Sequence, residues 1–286
     1  MINQKDVTII IPYWGKNPEE RYAFKECMAS LLETCECPII VVANGGLGLP
    51  EITLPDRVKL VEVPEQGQCR ACNIGVAMSD TPWVMISNDD MIYSLGWFKN
   101  LTGGKLDIGL SLEGTVCISP KLVEPRSGAP TFGVYFCGGA GGDFDKKSWL
   151  EYSKLYENSI DLFKGIRKGF NLPFLMPKEL WETIGGYDEV FDPFGSNGDS
   201  DLEYKIKLAG IQSYQNTNAI VYHFSQTSGT FHPDNRAYWD KNWHYFIEKW
   251  GFERASSPEI WTATFEIPMD KLKYRPDWIG KYGGIQ

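Results

Sequence analysis

The chain has 286 residues, 43% apolar, 23% charged and 14% aromatic, which is enough for one large domain or two small ones around a proper core. Its net charge of −9 and pI near 5.0 argue against a nucleic-acid binder working through a basic surface, and against electrostatic docking on anionic lipid. No run of ~18 apolar residues occurs, so no segment is expected to span a membrane. The start, Met1 to Asp6, lacks signal-peptide anatomy. With an odd count of seven cysteines, this predicts reduced thiols and a cytoplasmic setting. Cys35-Glu36-Cys37 is too tightly spaced for a usual zinc knuckle, and Cys69-Arg70-Ala71-Cys72 falls on a predicted helix.

In chain order, Val7 to Ile11 is a β-branched run closed by Pro12, which predicts a buried strand. Pro18 to Leu32 reads as an amphipathic helix, with Glu19 and Glu20 in its first turn. Pro38 to Ala43 predicts a second buried strand ending at Asn44-Gly45-Gly46, and Val58 to Val63 a third. Gly67 to Met78 predicts a helix and Trp83 to Ile86 a fourth strand. Together these give a parallel α/β sheet with crossover connections. Further on, strands are predicted at 116–118 and 134–137, a flexible glycine turn at 138–142, and a helix over 148–163. A short helix follows at 177–184, then helices from Asp199 and from Asn235, with a last strand at Ala219 to His223. There is no internal repeat and no linker rich in Pro, Gly or Ser. Neither a GxGxxG after the first strand nor a GxxxxGK[ST] is present, which removes the main support for dinucleotide-binding and P-loop readings.

The chemistry concentrates in two acidic stretches. The fourth strand runs into Ser87-Asn88-Asp89-Asp90, adjacent carboxylates with no neighbouring base. Carboxyl ends of strands collect ligands in open α/β sheets, and carboxylates there suit a hard divalent cation such as Mn²⁺ or Mg²⁺. A solvated Asx-type turn fits the same residues. The second stretch, Asp199-Ser200-Asp201-Leu202, opens a helix, where carboxylates are also ordinary partners of the helix dipole.

Six segments in order resemble the family 2 glycosyltransferases of GT-A fold, over residues 5 to 251. They are Val7 to Tyr13; Gly67-Gln68-Cys69-Arg70-Ala71-Cys72-Asn73-Ile74-Gly75, like a Gly-x-x-x-Ala-x-Asn-x-Gly helix; Asn88-Asp89-Asp90; Gly185-Gly186-Tyr187-Asp188-Glu189; Asp199-Ser200-Asp201-Leu202; and Lys249-Trp250-Gly251. The resemblance implies a mixed, mainly parallel central sheet flanked by helices. It further implies an inverting transfer from a nucleotide-diphosphate sugar to a carbohydrate or glycoconjugate hydroxyl. By the same carry-over, Asp90 and Asp89 with His223 would hold Mn²⁺ or Mg²⁺. Asp199 would be the general base with Asp201 as second choice, and Pro12, Tyr13, Asn44, Arg70, Asn73, Asn88 and Asp89 would bind the donor nucleotide. His232 and His244 lack such a context.

Three positions depart from the family pattern: Ala43-Asn44 stands where an Asp is usual, Gly198 replaces the usual Glu, and Cys72 a frequent Arg. Those departures keep open a catalytically silent carbohydrate-binding or scaffold protein of the same fold. A sugar-1-phosphate nucleotidyltransferase is a further alternative, although Ile11 to Lys16 is a poor version of its basic glycine loop. The expected organisation is one domain over 1–251, with a nucleotide-binding half near 1–95 and an acceptor half over 96–251. Residues 252–286 form an extension that could wrap the core, cover the acceptor cleft or pair two copies.

Overall fold

The computed structural model describes residues 2–46, 48–103, 116–125, 133–159, 164–225 and 233–283. The chain opens with β1 (Val7–Tyr13), α1 (Pro18–Thr34), β2 (Ile39–Asn44), β3 (Val58–Val63), α2 (Gln68–Ala77) and β4 (Trp83–Ile86). β1 and β2 are buried along their whole length, as their unbroken apolar runs predict. Asn17 caps α1 by accepting the Glu20 N–H at 2.8 Å, and Pro18 occupies its first turn.

The second part contains β5 (Met91–Tyr93), α3 (Trp97–Thr102), β6 (Val116–Glu124), β7 (Gly133–Val134), α4 (Lys146–Asn158), β8 (Ile166–Lys168), β9 (Phe174–Pro177), α5 (Lys178–Ile184), α6 (Gly198–Ala209), β10 (Gln212–His223), α7 (Arg236–Trp250) and α8 (Ser257–Trp261). The described strands join one mixed sheet in the order β3-β2-β1-β4-β9-β6-β10-β5, with β7 beside β6 and β8 beside β10. The pairs β1/β2, β1/β4, β2/β3, β6/β7 and β6/β10 are parallel. β9 lies antiparallel between β4 and β6 and joins the two parts.

Several boundaries differ from the sequence expectation. The predicted strand over 134–137 shrinks to Gly133–Val134, the helix predicted to reach Phe163 ends at Asn158, and 160–163 lie outside the described residues. The last strand begins at Gln212 rather than Ala219. In its first half Ser213, Gln215, Asn216 and Thr217 are polar yet buried; Gln215 bonds Asn171 and Arg167, and Asn216 bonds the carbonyls of Asn100 and Leu101. A central strand made of amides carries no apolar signal.

The main core runs through both predicted halves and continues into the extension, taking in Phe252, Ile260, Phe265, Ile267 and Leu272. Backbone bonds Lys273 N–H to Trp250 C=O, Gly280 N–H to Leu208 C=O and Tyr282 N–H to Ala209 C=O fasten the extension to the ends of α7 and α6. Residues 252–283 thus pack against the core. All seven cysteines are buried thiols without a disulfide, and no described helix is long and apolar enough to cross a membrane.

Candidate active site

β1 is parallel to β2 on one side and to β4 on the other, so the chain order reverses there and the strands' carboxyl ends part to leave a crevice. The crevice opens about 570 Å³, its mouth included, between Pro12, Trp14, Glu20, Asn44, Gln66, Gln68, Asn88, Asp89, Asp90, Pro193 and Phe194. Of the predicted nucleotide-binding residues, Pro12, Asn44, Asn88 and Asp89 line it.

Tyr13, Arg70 and Asn73 do not. Tyr13 buries its ring against Phe24 at 4.2 Å, and burial followed by the charge of Asp89 pushes its phenol up to about 12. The aromatic wall comes from the next residue, Trp14, which meets Phe194 edge-on at 5.9 Å. Arg70 turns outward to Glu189 at 3.2 Å and Glu65 at 3.8 Å. Asn73 pairs with the backbone of Tyr187. Asn44 reaches the crevice, but its amide is already engaged: Nδ2 donates to Tyr13 C=O and Oδ1 accepts Gly67 N–H, each at 3.0 Å.

These contacts explain the Gly-x-x-x-Ala-x-Asn-x-Gly spacing in packing terms. A Cβ at Gly67 would stand 2.5 Å from Asp192 Oδ2, and one at Gly75 would stand 2.3 Å from Ile10 Cγ2. Ala71 is fully buried between them. Asp192 caps α2 from a distant loop, accepting the Cys69 and Arg70 N–H groups at 2.9 and 3.1 Å. The spacing fits a helix pressed on β1 and clamped by the loop after α5.

Asp90 and His223 come together through a strand pair that sequence reading missed. β5 follows Asp90 directly and runs antiparallel to β10, with Met91 opposite His223. His223 Nε2 lies 3.4 Å from Asp90 Oδ2, and its Nδ1 lies 2.7 Å from Glu124 Oε1. Glu124 ends β6, which is parallel to β10, and is buried at 4% exposure. It also went unread, because the predicted strand stopped at Ile118. A carboxylate on the far ring nitrogen is the arrangement that orients metal-binding histidines. Burial opposes charge on the imidazole, but Asp90 and then Glu124 outweigh it and carry the pKa up to about 10. Burial first, then Asp90 and Glu20, hold the Asp89 carboxyl well above the usual range.

Among the described residues no three carboxylate, imidazole or thiol groups converge on one point as a complete metal cage. The predicted trio therefore reduces to Asp90 with His223, and Asp89 stands beside them. Two protein donors, one of them aligned by Glu124, fit a hard divalent cation that keeps water or phosphate oxygens in the rest of its shell.

Asp199 and Asp201 separate clearly. Asp199 is partly buried at the start of α6, and Tyr187 O–H donates to its Oδ1 at 2.7 Å. Burial raises its pKa to about 6 against the lowering effect of that bond. Asp201 is fully buried. Its Oδ1 accepts from Trp250 Nε1 at 2.8 Å and Lys249 Nζ at 2.7 Å, and Lys205 stands 3.5 Å from Oδ2. Asp188 completes this network through Lys249 and Tyr245, each at 2.8 Å. The second choice for a base is thus enclosed in the interior and ion-paired to Lys249 and Lys205. His244 is exposed on α7, and His232 lies outside the described residues.

The sequence matches no known family profile and no curated protein. Among solved structures, the crystal structure of GalNAc-T7 with UDP, GalNAc and Mn²⁺ matches with a TM-score of 0.50 at 13% identity, covering 76% of this chain. The fold is GT-A. This chain spans 42% of that protein's length, so the likeness concerns the shared α/β unit alone. Within the GT-A framework the crevice beside β1 and the Asp90–His223 pair lie at the carboxyl edge of one sheet.

Proposed function

We propose that the chain is a metal-dependent, inverting glycosyltransferase of family 2 type. It would move a sugar from a nucleoside-diphosphate sugar to a hydroxyl of a carbohydrate or glycoconjugate acceptor. The observation that carries this reading is Asp90 meeting His223, with Glu124 behind the ring, at the mouth of the switch-point crevice. GalNAc-T7, of the same fold, was crystallised with UDP, GalNAc and Mn²⁺.

In this reading Trp14 and Phe194 offer faces to the nucleoside base. Asp90 and His223 hold Mn²⁺ or Mg²⁺, which offsets the charge of the departing diphosphate. Asp89 and Asn88, on the same wall, take hydroxyls of the donor. Asp199 accepts the acceptor's proton as its oxygen bonds to the sugar's C1 and the bond from C1 to the phosphate oxygen breaks. A single displacement of this kind inverts C1. A carboxyl shifted to about 6 is largely ionised at neutral pH and still basic enough to take that proton.

The test is a thermal-shift screen of UDP, dTDP, GDP and CDP and their glucose and N-acetylglucosamine conjugates, with and without Mn²⁺. Donor hydrolysis and transfer are then assayed on the best binders. Mn²⁺-dependent stabilisation by at least one nucleotide, lost in Asp90→Ala, is expected. Binding without hydrolysis or transfer would favour the silent carbohydrate-binding protein, and indifference to both Mn²⁺ and Asp90→Ala would sink the metal site.

A further inference from the structure

Asn73 and Tyr187 stand outside the donor crevice, yet they form one chain of contacts ending at the candidate base. Asn73, on α2, pairs with the Tyr187 backbone in both directions. Tyr187 N–H donates to Asn73 Oδ1 at 3.0 Å, and Asn73 Nδ2 donates to Tyr187 C=O at 2.9 Å. One side chain thus supplies what a neighbouring strand would, and fixes the backbone from which the phenol projects. The preceding turn is equally constrained. Gly186 has φ +55°, and a Cβ there would stand 2.4 Å from Trp181 Nε1 and 2.5 Å from Asn73 Oδ1. The Tyr187 ring is 3% exposed and packs edge-on against Trp181 at 5.4 Å. Its hydroxyl ends 2.7 Å from Asp199 Oδ1.

We propose that Tyr187, locked in place by Asn73, is the positioning residue of Asp199. It holds one carboxylate oxygen, favours the ionised form by donating to it, and leaves the second oxygen for the acceptor hydroxyl. The inference rests on the reading of Asp199 as base. It reassigns Asn73 from donor binding to support of the acceptor side, which makes α2 the element joining the two.

Among the described residues, the other groups around Asp199 bring it no counter-charge. Cys69 and Cys72 face it from α2, and burial pushes both thiols well up, so both are neutral at physiological pH. Asp192 is bound to the first N–H groups of α2, and Asp201, on the same helix as Asp199, to Lys249 and Trp250. Lys205 and Lys249 are turned to Gly186, Asp188 and Asp201. The hydrogen bond given to Asp199 comes from Tyr187.

The test uses the full chain with ¹³C-labelled aspartate, Asp199 being identified by the signal lost in Asp199→Asn. Its carboxyl resonance is titrated in the wild type and in Tyr187→Phe, which keeps the ring and removes only the hydroxyl. The pH profile of transfer is measured in parallel with UDP-, dTDP- and GDP-glucose. In Tyr187→Phe the Asp199 midpoint should rise by roughly one pH unit, the size expected for a hydrogen bond to a charged group. The acid limb of kcat should rise with it while KM for the donor holds. Asn73→Ala should move both in the same direction. A lowered Tm in Asn73→Ala with no movement of the midpoint would reduce Asn73 to scaffold and remove it from the proposal. An unmoved midpoint in Tyr187→Phe overturns the proposal outright. A moved midpoint with an unmoved acid limb, or with no transfer from any donor, overturns instead the reading of Asp199 as base.

Discussion

Two acidic clusters in this molecule are built to opposite ends. Around Asp90, the carboxylates of Glu20, Asp89 and Glu124 gather near a single histidine at the edge of an open crevice. Around Asp201, two carboxylates meet Lys249 and Lys205, a tryptophan N–H and a tyrosine hydroxyl in the interior. Both read in the sequence as aspartates beside an apolar run. The second cluster contains its own counter-charges. The first sets four carboxylates against one imidazole, an acidic surplus that favours an incoming cation. An aspartate's role thus follows from where its counter-charge comes from, a property of the fold around it.

Breaking each cluster should give opposite phenotypes. The largest effect is expected for Asp90→Ala, which should cut Mn²⁺-dependent transfer by about 1,000-fold or more in a chain that still folds. Side-by-side initial rates and thermal melts would show it, and an unfolded variant would reverse the contrast. Asp201→Ala should behave the other way. It leaves Lys205 and Lys249 without their buried partner and should cost about 3 kcal/mol in urea unfolding, while nucleotide affinity in the folded fraction is kept.

Smaller changes sharpen the contrast. Glu124→Gln removes the carboxylate behind His223 and should weaken Mn²⁺ by about 10-fold, read by isothermal titration without any sugar. Gly75→Ala forces a methyl onto Ile10 and should destabilise by about 1–2 kcal/mol, with the metal site untouched. The pH response is subtler still. His223 titrates near 10 in the folded chain against 6.5 unperturbed. Its imidazolium therefore adds stability that is complete below 6.5 and fades as pH rises through 10. Mn²⁺ competes with the proton, so the Tm gain from added Mn²⁺ should grow as pH is raised above 6.5. A gain independent of pH would remove His223 from the cation's partners.

The early strands were legible because β1 and β2 are buried on both faces and leave unbroken apolar runs. Pro12, Asn44, Asn88, Asp89 and Asp90 were legible as crevice residues because ligands collect where such strands end. Trp14 sat one position past the predicted Tyr13, and pattern reading does not resolve which ring turns inward. Gln68 and Phe194 gave no signal, since neither type is unusual at a helix start or in a loop. Asn73 and Arg70 lie outside the crevice for a different reason. Their spacing was read as chemistry, whereas it records a helix pressed against β1 and clamped by the loop that carries Asp192.

By itself the sequence determined the parallel strands around β1, the helices between them and the acidic stretch at the end of β4. Alternation, capping and turn residues are local signals that survive in a linear string. Only the tertiary structure decided the geometry of the candidate site. Pairing of β5 with β10 sets His223 beside Asp90, the β6 register brings Glu124 behind it, and burial of Asp201 against two lysines leaves Asp199 as the carboxylate held by Tyr187. Those contacts join residues up to 133 positions apart (Asp90 to His223), and no local propensity encodes a strand register across such a distance.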